Sequence, residues 1–301
     1  MSTRLPDGLI EGFERRRLPG DGLEIDALVG GAGPPLLLLH GYPQTRVMWH
    51  AIAPALARQF TVVVPDLRGY GRSDKPPGDA AHVAYSKRQM AKDQLASMHA
   101  LGFSRFAVAG HDRGGRVGYR LALDHPEAVA ALAVLDIIPT ADVWARADAE
   151  GAMRMYHWFF LARPQPLPER LIGAVPEFFL RTTLESWAGP GFAFDAANMA
   201  DYVACFSEPQ SIHASCEDYR SGWSLDRAHD EADRGVRKIK APLLVVWSEG
   251  FSVARSEPLK TWSAWAENVA GSAVPGGHFV CEEQPQQVLA LLEGFFATAG
   301  V

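Results

Sequence analysis

The stretch FAVAGHDRGGRVGYRLAL, residues 106–123, decides how this chain is read. Phe106, Ala107, Val108 and Ala109 make a short apolar run of the kind used by a buried strand, while Val117, Tyr119, Leu121 and Ala122 continue among arginines as a helix. Between them Gly110, His111, Asp112, Arg113 and Gly114 spell Gly-x-Asp-x-Gly. That spacing predicts a tight strand-to-helix turn, with glycines where backbones must approach and Asp112 raised above the strand end. A carboxylate there suits displacement at a saturated carbon better than acyl transfer, which calls for serine or cysteine. Taken alone, the five residues also fit a turn closed by an Asx bond, or a helix N-cap. The rest of the chain must therefore supply a base, an acid to orient that base, and a reason for Arg113 and Arg116.

The 301 residues can fill a full core, as one large α/β domain or as a core carrying an insertion. Acidic residues outnumber basic ones, for a net charge of -6, and no Lys/Arg run forms a stripe; nucleic acid and anionic membrane surfaces are not expected partners. Arg15, Arg16 and Arg17 make only a short surface cluster. Cys205, Cys216 and Cys281 are odd in number and lack metal-ligand spacing, which suits free thiols in a reducing compartment. The N-terminal MSTRLPDGLIEGFERRR has no apolar run of the signal-peptide type, and no stretch has the length and apolarity of a membrane span. The expectation is a cytoplasmic protein.

Four leucines, Leu36 to Leu39, follow Pro34 and Pro35 as a buried strand and end at His40, Gly41, Tyr42 and Pro43. A helical stretch, Trp49 to Leu56, precedes a second strand, Thr61 to Val64, closed by the loop from Pro65 to Gly71. Ser86 to Leu101 has helical spacing, and Ala131 to Leu135 is a fourth strand after the opening one. Strands alternating with helices predict a mostly parallel sheet covered on both faces, with ligands beyond the carboxyl ends of its strands. His40, Asp66, Asp112 and Asp136 all fall at such ends. Beyond Pro139 the pattern turns to irregular, aromatic-rich helices, predicting a helical cap over 140–235 inserted into a core made of 1–139 and 236–301. The core resumes with a strand at Leu243 to Trp247, a helix near Lys260 to Ala266, a loop holding Gly276, Gly277, His278 and Phe279, and a final helix from Val288 to Phe296.

HGYP (40–43), DLRGYG (66–71), GHDRGGR (110–116) and GGHF (276–279) come in the order of the α/β-hydrolases. More closely, the chain resembles the haloacetate dehalogenases of that superfamily, including the fluoroacetate dehalogenases, over nearly its whole length. The likeness reaches into LDIIPT (135–140) and into the cap segments YHWFFLARPQPLPE (156–169) and CEDYRSG (216–222), which are more specific than the turn around Asp112. The resemblance implies an α/β-hydrolase fold, a homodimer, and neither metal nor organic cofactor.

In this chemistry Asp112 attacks the halogen-bearing carbon and expels halide, leaving an ester that water must cleave. His278, in a Gly-rich loop after the last strand, is the candidate base for the second step. Asp136 is its candidate orienting acid; Glu249, after the strand ending at Trp247, is the alternative position, and the resemblance favours Asp136. Arg113 and Arg116, three apart on the helix after Asp112, share a face, and a buried guanidinium needs an anionic partner. That partner is a substrate carboxylate or Asp112 itself. The resemblance assigns both arginines to the carboxylate of a haloacetate. It also assigns His157, Trp158 and Tyr219 to the leaving halide, three side chains each with one donor. Tyr42 takes the place of a pocket aromatic, with a backbone N–H that can face the site.

Two other readings compete. An epoxide hydrolase would share Asp112 and His278 and draw a proton from a cap tyrosine, Tyr156, Tyr202 or Tyr219; Arg113 and Arg116 argue against a neutral epoxide. A non-catalytic small-acid receptor would have no use for Asp112, His278 and Asp136 together.

Overall fold

The computed structural model describes residues 10–300, so residues 1–9, part of the N-terminal stretch read above as having no signal-peptide run, and residue 301 lie outside the described residues. Eight strands form one sheet in the order β1-β2-β4-β3-β5-β6-β7-β8. They are β1 (Phe13–Pro19), β2 (Glu24–Gly30), β3 (Pro35–Leu39), β4 (Thr61–Pro65), β5 (Phe106–His111), β6 (Val129–Leu135), β7 (Leu243–Ser248) and β8 (Val269–Val274). Only β2 runs against its neighbours, pairing antiparallel with β1 and with β4; every other pairing is parallel. The central strands are apolar throughout, Leu36 to Leu39 and Ala131 to Leu135 being fully buried, as a sheet covered on both faces requires.

Strands β1, β2 and β8 add to the five expected from sequence. Residues 13–19 are charged because β1 is an edge strand, and its arginines are paired: Arg15 with the buried Asp26 at 2.8 Å, Arg17 with Glu24 at 2.9 Å and Asp74 at 2.7 Å. β8 closes the opposite edge with the small residues Val269, Ala270, Gly271, Ser272, Ala273 and Val274, which carry no strand signature of their own.

Between β6 and β7 the chain leaves the sheet for a run of helices from Thr140–Ala145 to Arg227–Asp233. Their apolar faces belong to the same buried core as the sheet, through Trp158, Leu161, Ile172, Leu180, Leu184, Trp187, Tyr202 and Tyr219. No helix among the described residues is long and apolar enough to cross a membrane.

Candidate active site

Asp112 sits between β5 and the helix Arg113–Asp124, with φ 45° and ψ -116°. This is a strained backbone for a residue with a Cβ, and the surroundings enforce it. A Cβ on Gly114 would stand 2.5 Å from the carbonyl oxygens of Leu39 and His40, and one on Gly110 would stand 2.5 Å from that of Gly114. Helix and strand therefore touch through bare backbone, and Asp112 projects from the crossing. Gly41 is bare for the same reason: a Cβ there would meet that of Asp112 at 2.6 Å.

The carboxylate lies at the N-terminus of a twelve-residue helix, where the helix dipole favours negative charge. Its Oδ1 accepts the Tyr42 N–H at 2.9 Å, and its Oδ2 stands 3.9 Å from Nε2 of His278. The other ring nitrogen of His278, Nδ1, is 2.6 Å from Oδ2 of Asp136, whose Oδ1 accepts the Ser248 N–H at 3.0 Å. Glu249, the alternative acid, is exposed. Burial pushes the Asp112 carboxyl up, but His278, Arg113 and Arg116 outweigh it and hold the pKa at about 2. Burial pushes His278 down; the hydrogen bond and charge of Asp136, with the charge of Asp112, raise it overall.

Of the other residues at strand ends, His40 and Asp66 serve the loops. His40 accepts the Leu67 N–H at 2.9 Å and lies 2.9 Å from the Gly41 carbonyl, tying the loop after β3 to the loop after β4. Asp66 accepts the backbone N–H groups of Arg46 and Arg72, each at 2.9 Å.

A cavity of about 300 Å³ opens beside these groups, lined by Asp112, Asp136 and His278 from the core, by Arg116 from the helix after Asp112, and by His157 and Trp158. Its mouth is charged, with Arg146, Asp148, Glu150, Arg154 and Arg255, the two outer arginines both paired to Glu150. His157 has an unpartnered buried Nδ1, and burial pulls its pKa down to about 3, so the ring is neutral and carries one N–H. Tyr219 packs edge-on to His157 at 5.6 Å and to Trp158 at 5.8 Å, and Tyr42 lies 5.2 Å from Tyr219. The three halide-site candidates and Tyr42 thus form one aromatic cluster.

The two arginines differ in placement. Arg116 is on the cavity wall. Arg113 is fully buried behind it under the Tyr219 ring, 4.3 Å from guanidinium carbon to ring centre, and its anionic partner is neither Asp112 nor open space but Asp218. Of the three tyrosines considered as epoxide acids, only Tyr219 is in the cluster: Tyr156 is exposed, and the Tyr202 hydroxyl donates to Glu282 at 3.1 Å. Sequence reading passed over Trp187, whose ring is 4.3 Å from His157 and 5.7 Å from His278, along with Ile138, Met155 and Phe251. No local pattern marks these, since helices and loops far apart in the chain bring them to the cavity.

The strand order, the turn at Asp112 and the His278–Asp136 pair define an α/β-hydrolase, and the model of the alpha/beta hydrolase fold matches residues 34–285; the chain belongs to that family. Among its relatives is a fluoroacetate dehalogenase of Burkholderia sp, 44% identical over 293 residues, covering 97% of this chain and 96% of that protein. A soluble epoxide hydrolase of Corynebacterium sp. is 35% identical over 282 residues, covering 92% and 95%. The crystal structure of an alpha/beta hydrolase from Nostoc sp PCC 7120 matches with a TM-score of 0.93 at 48% identity, covering 96% of this chain and 99% of that one.

Proposed function

We propose that the chain hydrolyses a haloacetate, fluoroacetate or chloroacetate, to glycolate and halide. One observation carries this reading: the ionised Asp112, backed by His278 and Asp136, shares a cavity with Arg116, a buried cation that makes no ion pair among the described residues. A substrate carboxylate is the charge that this wall lacks. The 44% identity to a fluoroacetate dehalogenase, against 35% to an epoxide hydrolase, supports the same choice.

An Asp112 oxygen displaces halide from the carbon, forming a C–O bond as the C–halogen bond breaks. His157, Trp158 and Tyr219 offer donors to the departing anion. His278 then takes a proton from water, whose oxygen attacks the ester carbonyl of Asp112, while the Tyr42 N–H is placed to hold the oxyanion. As that intermediate collapses, the C–O bond to the glycolate oxygen breaks, His278 returns its proton to that oxygen, and Asp112 sheds the remaining proton to solvent and is again a carboxylate. Asp136 keeps His278 oriented and balances its charge.

An epoxide substrate is disfavoured because a neutral epoxide would leave the Arg116 charge on the cavity wall unpaired. Supplying fluoroacetate, chloroacetate and styrene oxide and measuring halide, glycolate and diol separates the two: halide and glycolate in equal amounts are expected, and diol without halide overturns the reading.

The same reading takes residues 140–235 as the cap over a core of 1–139 and 236–301. It takes the protein to be a cytoplasmic homodimer acting on a small haloacid, with no nucleic-acid or membrane partner. Three buried free thiols support the compartment, and secretion into the growth medium would refute it.

A further inference from the structure

Behind the cavity wall lies a buried charge cluster that the proposed chemistry leaves unused. Asp218, fully buried on the cap helix Pro209–Ser221, accepts from Arg113 through three contacts: Nε to Oδ2 at 3.1 Å, Nη2 to Oδ1 at 2.5 Å, and Nη2 to the Asp218 carbonyl at 2.9 Å. The same carboxylate accepts the Tyr70 hydroxyl at 2.7 Å and the ammonium of Lys87, which is itself 3.7 Å from Asp226. Lys87, Arg113, Asp218 and Asp226 therefore balance one another. What the cluster leaves over is the terminal Nη1 of Arg113, whose N–H groups are buried without a hydrogen-bond partner.

Arg116 is different. Its Nη1 donates to the Ile138 carbonyl and to Thr140 Oγ1, each at 3.0 Å, and both acceptors are neutral. Nε is buried and unpartnered, and the guanidinium lies over Trp158, 4.7 Å from the ring centre. Burial, and then the charge of Arg113, pull its pKa down, as expected of a cation without a counter-ion.

We propose that the grip on the substrate carboxylate is divided: Arg116 supplies the unneutralised charge, Arg113 supplies one directed N–H from Nη1, and Asp218, buttressed by Lys87 and Tyr70, is the positioning residue that aims it. The division rests on the haloacetate reading above. A guanidinium held on two of its nitrogens cannot rotate, so its remaining edge is fixed before substrate arrives. Asp218 also cancels the second positive charge, so a monoanionic substrate meets one net cation rather than two. Product glycolate, which carries the same carboxylate, then leaves more readily than it would from a doubly charged site.

The test is steady-state kinetics with chloroacetate, and competitive inhibition by acetate, on Arg113→Gln, Arg116→Gln, Asp218→Asn, Tyr70→Phe and the Asp218→Asn/Arg113→Gln double variant. KM and the acetate inhibition constant do not depend on how much of a preparation is folded, so loss of protein does not mimic loss of aim. Arg116→Gln should raise both by about 100-fold, the worth of a charge-assisted contact whose charge is not otherwise cancelled. Arg113→Gln and Asp218→Asn should each raise them by about tenfold, and the double variant should be no worse than Arg113→Gln alone, because Asp218 acts through Arg113. Tyr70→Phe, which removes a single hydrogen bond and keeps every charge, should raise them by about twofold to fivefold, and it decides the matter if Asp218→Asn does not fold. Equal losses in the two arginine variants, additive losses in the double variant, or unchanged constants in Asp218→Asn or Tyr70→Phe overturn the division. Failure of the unmodified enzyme to release chloride from chloroacetate would instead overturn the haloacetate reading.

Discussion

The proposed reaction asks opposite things of Asp112 and His278 in its two halves, and the surroundings of each suit both demands in turn. Displacement needs Asp112 ionised, which a pKa of about 2 secures at any working pH. Ester cleavage needs His278 neutral, yet in the free enzyme Asp136 and Asp112 hold its pKa up. Esterification removes the Asp112 charge, which faces Nε2 at 3.9 Å, so the His278 pKa falls when a base is required. Halide release in a single turnover should therefore be flat between about pH 5 and pH 9, while glycolate release should fall about tenfold per pH unit below the His278 pKa of the ester form. Rapid-quench measurement of both products checks this; halide release falling in step with glycolate would contradict it. At this scale, much of the site could be read from local signals. Asp112 stands in its glycine pattern, His278 in its loop, and Arg116 one helical turn beyond Asp112. Asp218 could not be read, although CEDYRSG was singled out, because its chief partner, Arg113, is 105 positions away. An aspartate on the helix Pro209–Ser221 has no sequence signature for holding an arginine on the helix Arg113–Asp124.

The turn from β5 into the helix Arg113–Asp124 was legible because its glycines are demanded by contact rather than by flexibility. Gly114 is the sharpest case, since an added methyl would meet two backbone carbonyls that cannot step aside. Gly114→Ala should destabilise the fold by more than about 2 kcal/mol in urea unfolding and displace Asp112 from the Tyr42 N–H, with a large loss of activity. A variant of normal stability and full activity would show that the backbone contact is not what sets the turn. The antiparallel pair β1–β2 was less legible. Its pairing is carried by backbone register, Phe13 opposite Gly30 through Pro19 opposite Glu24, and its arginines look like surface charge until Asp26, Glu24 and Asp74 are seen to hold them. Buried central strands announce themselves by apolar runs, whereas edge strands do so weakly because one edge faces water.

Across the whole molecule, the sheet fixes Asp112, His278 and Asp136, and the helices between β6 and β7 bring the halide-site candidates, Asp218 and Trp187 down onto them. The outer face of those helices carries an apolar stripe: Leu167, Leu171 and Val175 recur every fourth residue on and just beyond the helix Leu167–Ala174, and Phe178 continues it on the helix Pro176–Trp187. All four are exposed in the single chain, and the homodimer proposed above would cover such a stripe. Sedimentation should give twice the 32.8 kDa chain mass, and Leu171→Glu with Phe178→Glu should give a monomer; a monomeric unmodified protein would contradict the dimer. The account as a whole stands on a covalent ester at Asp112 that His278 is needed to clear. Intact-protein mass of His278→Asn after incubation with chloroacetate tests it most directly: the mass should rise by one acid adduct per chain, removed together with Asp112 in an Asp112→Ala/His278→Asn variant, whereas an unchanged mass with normal glycolate production would contradict it.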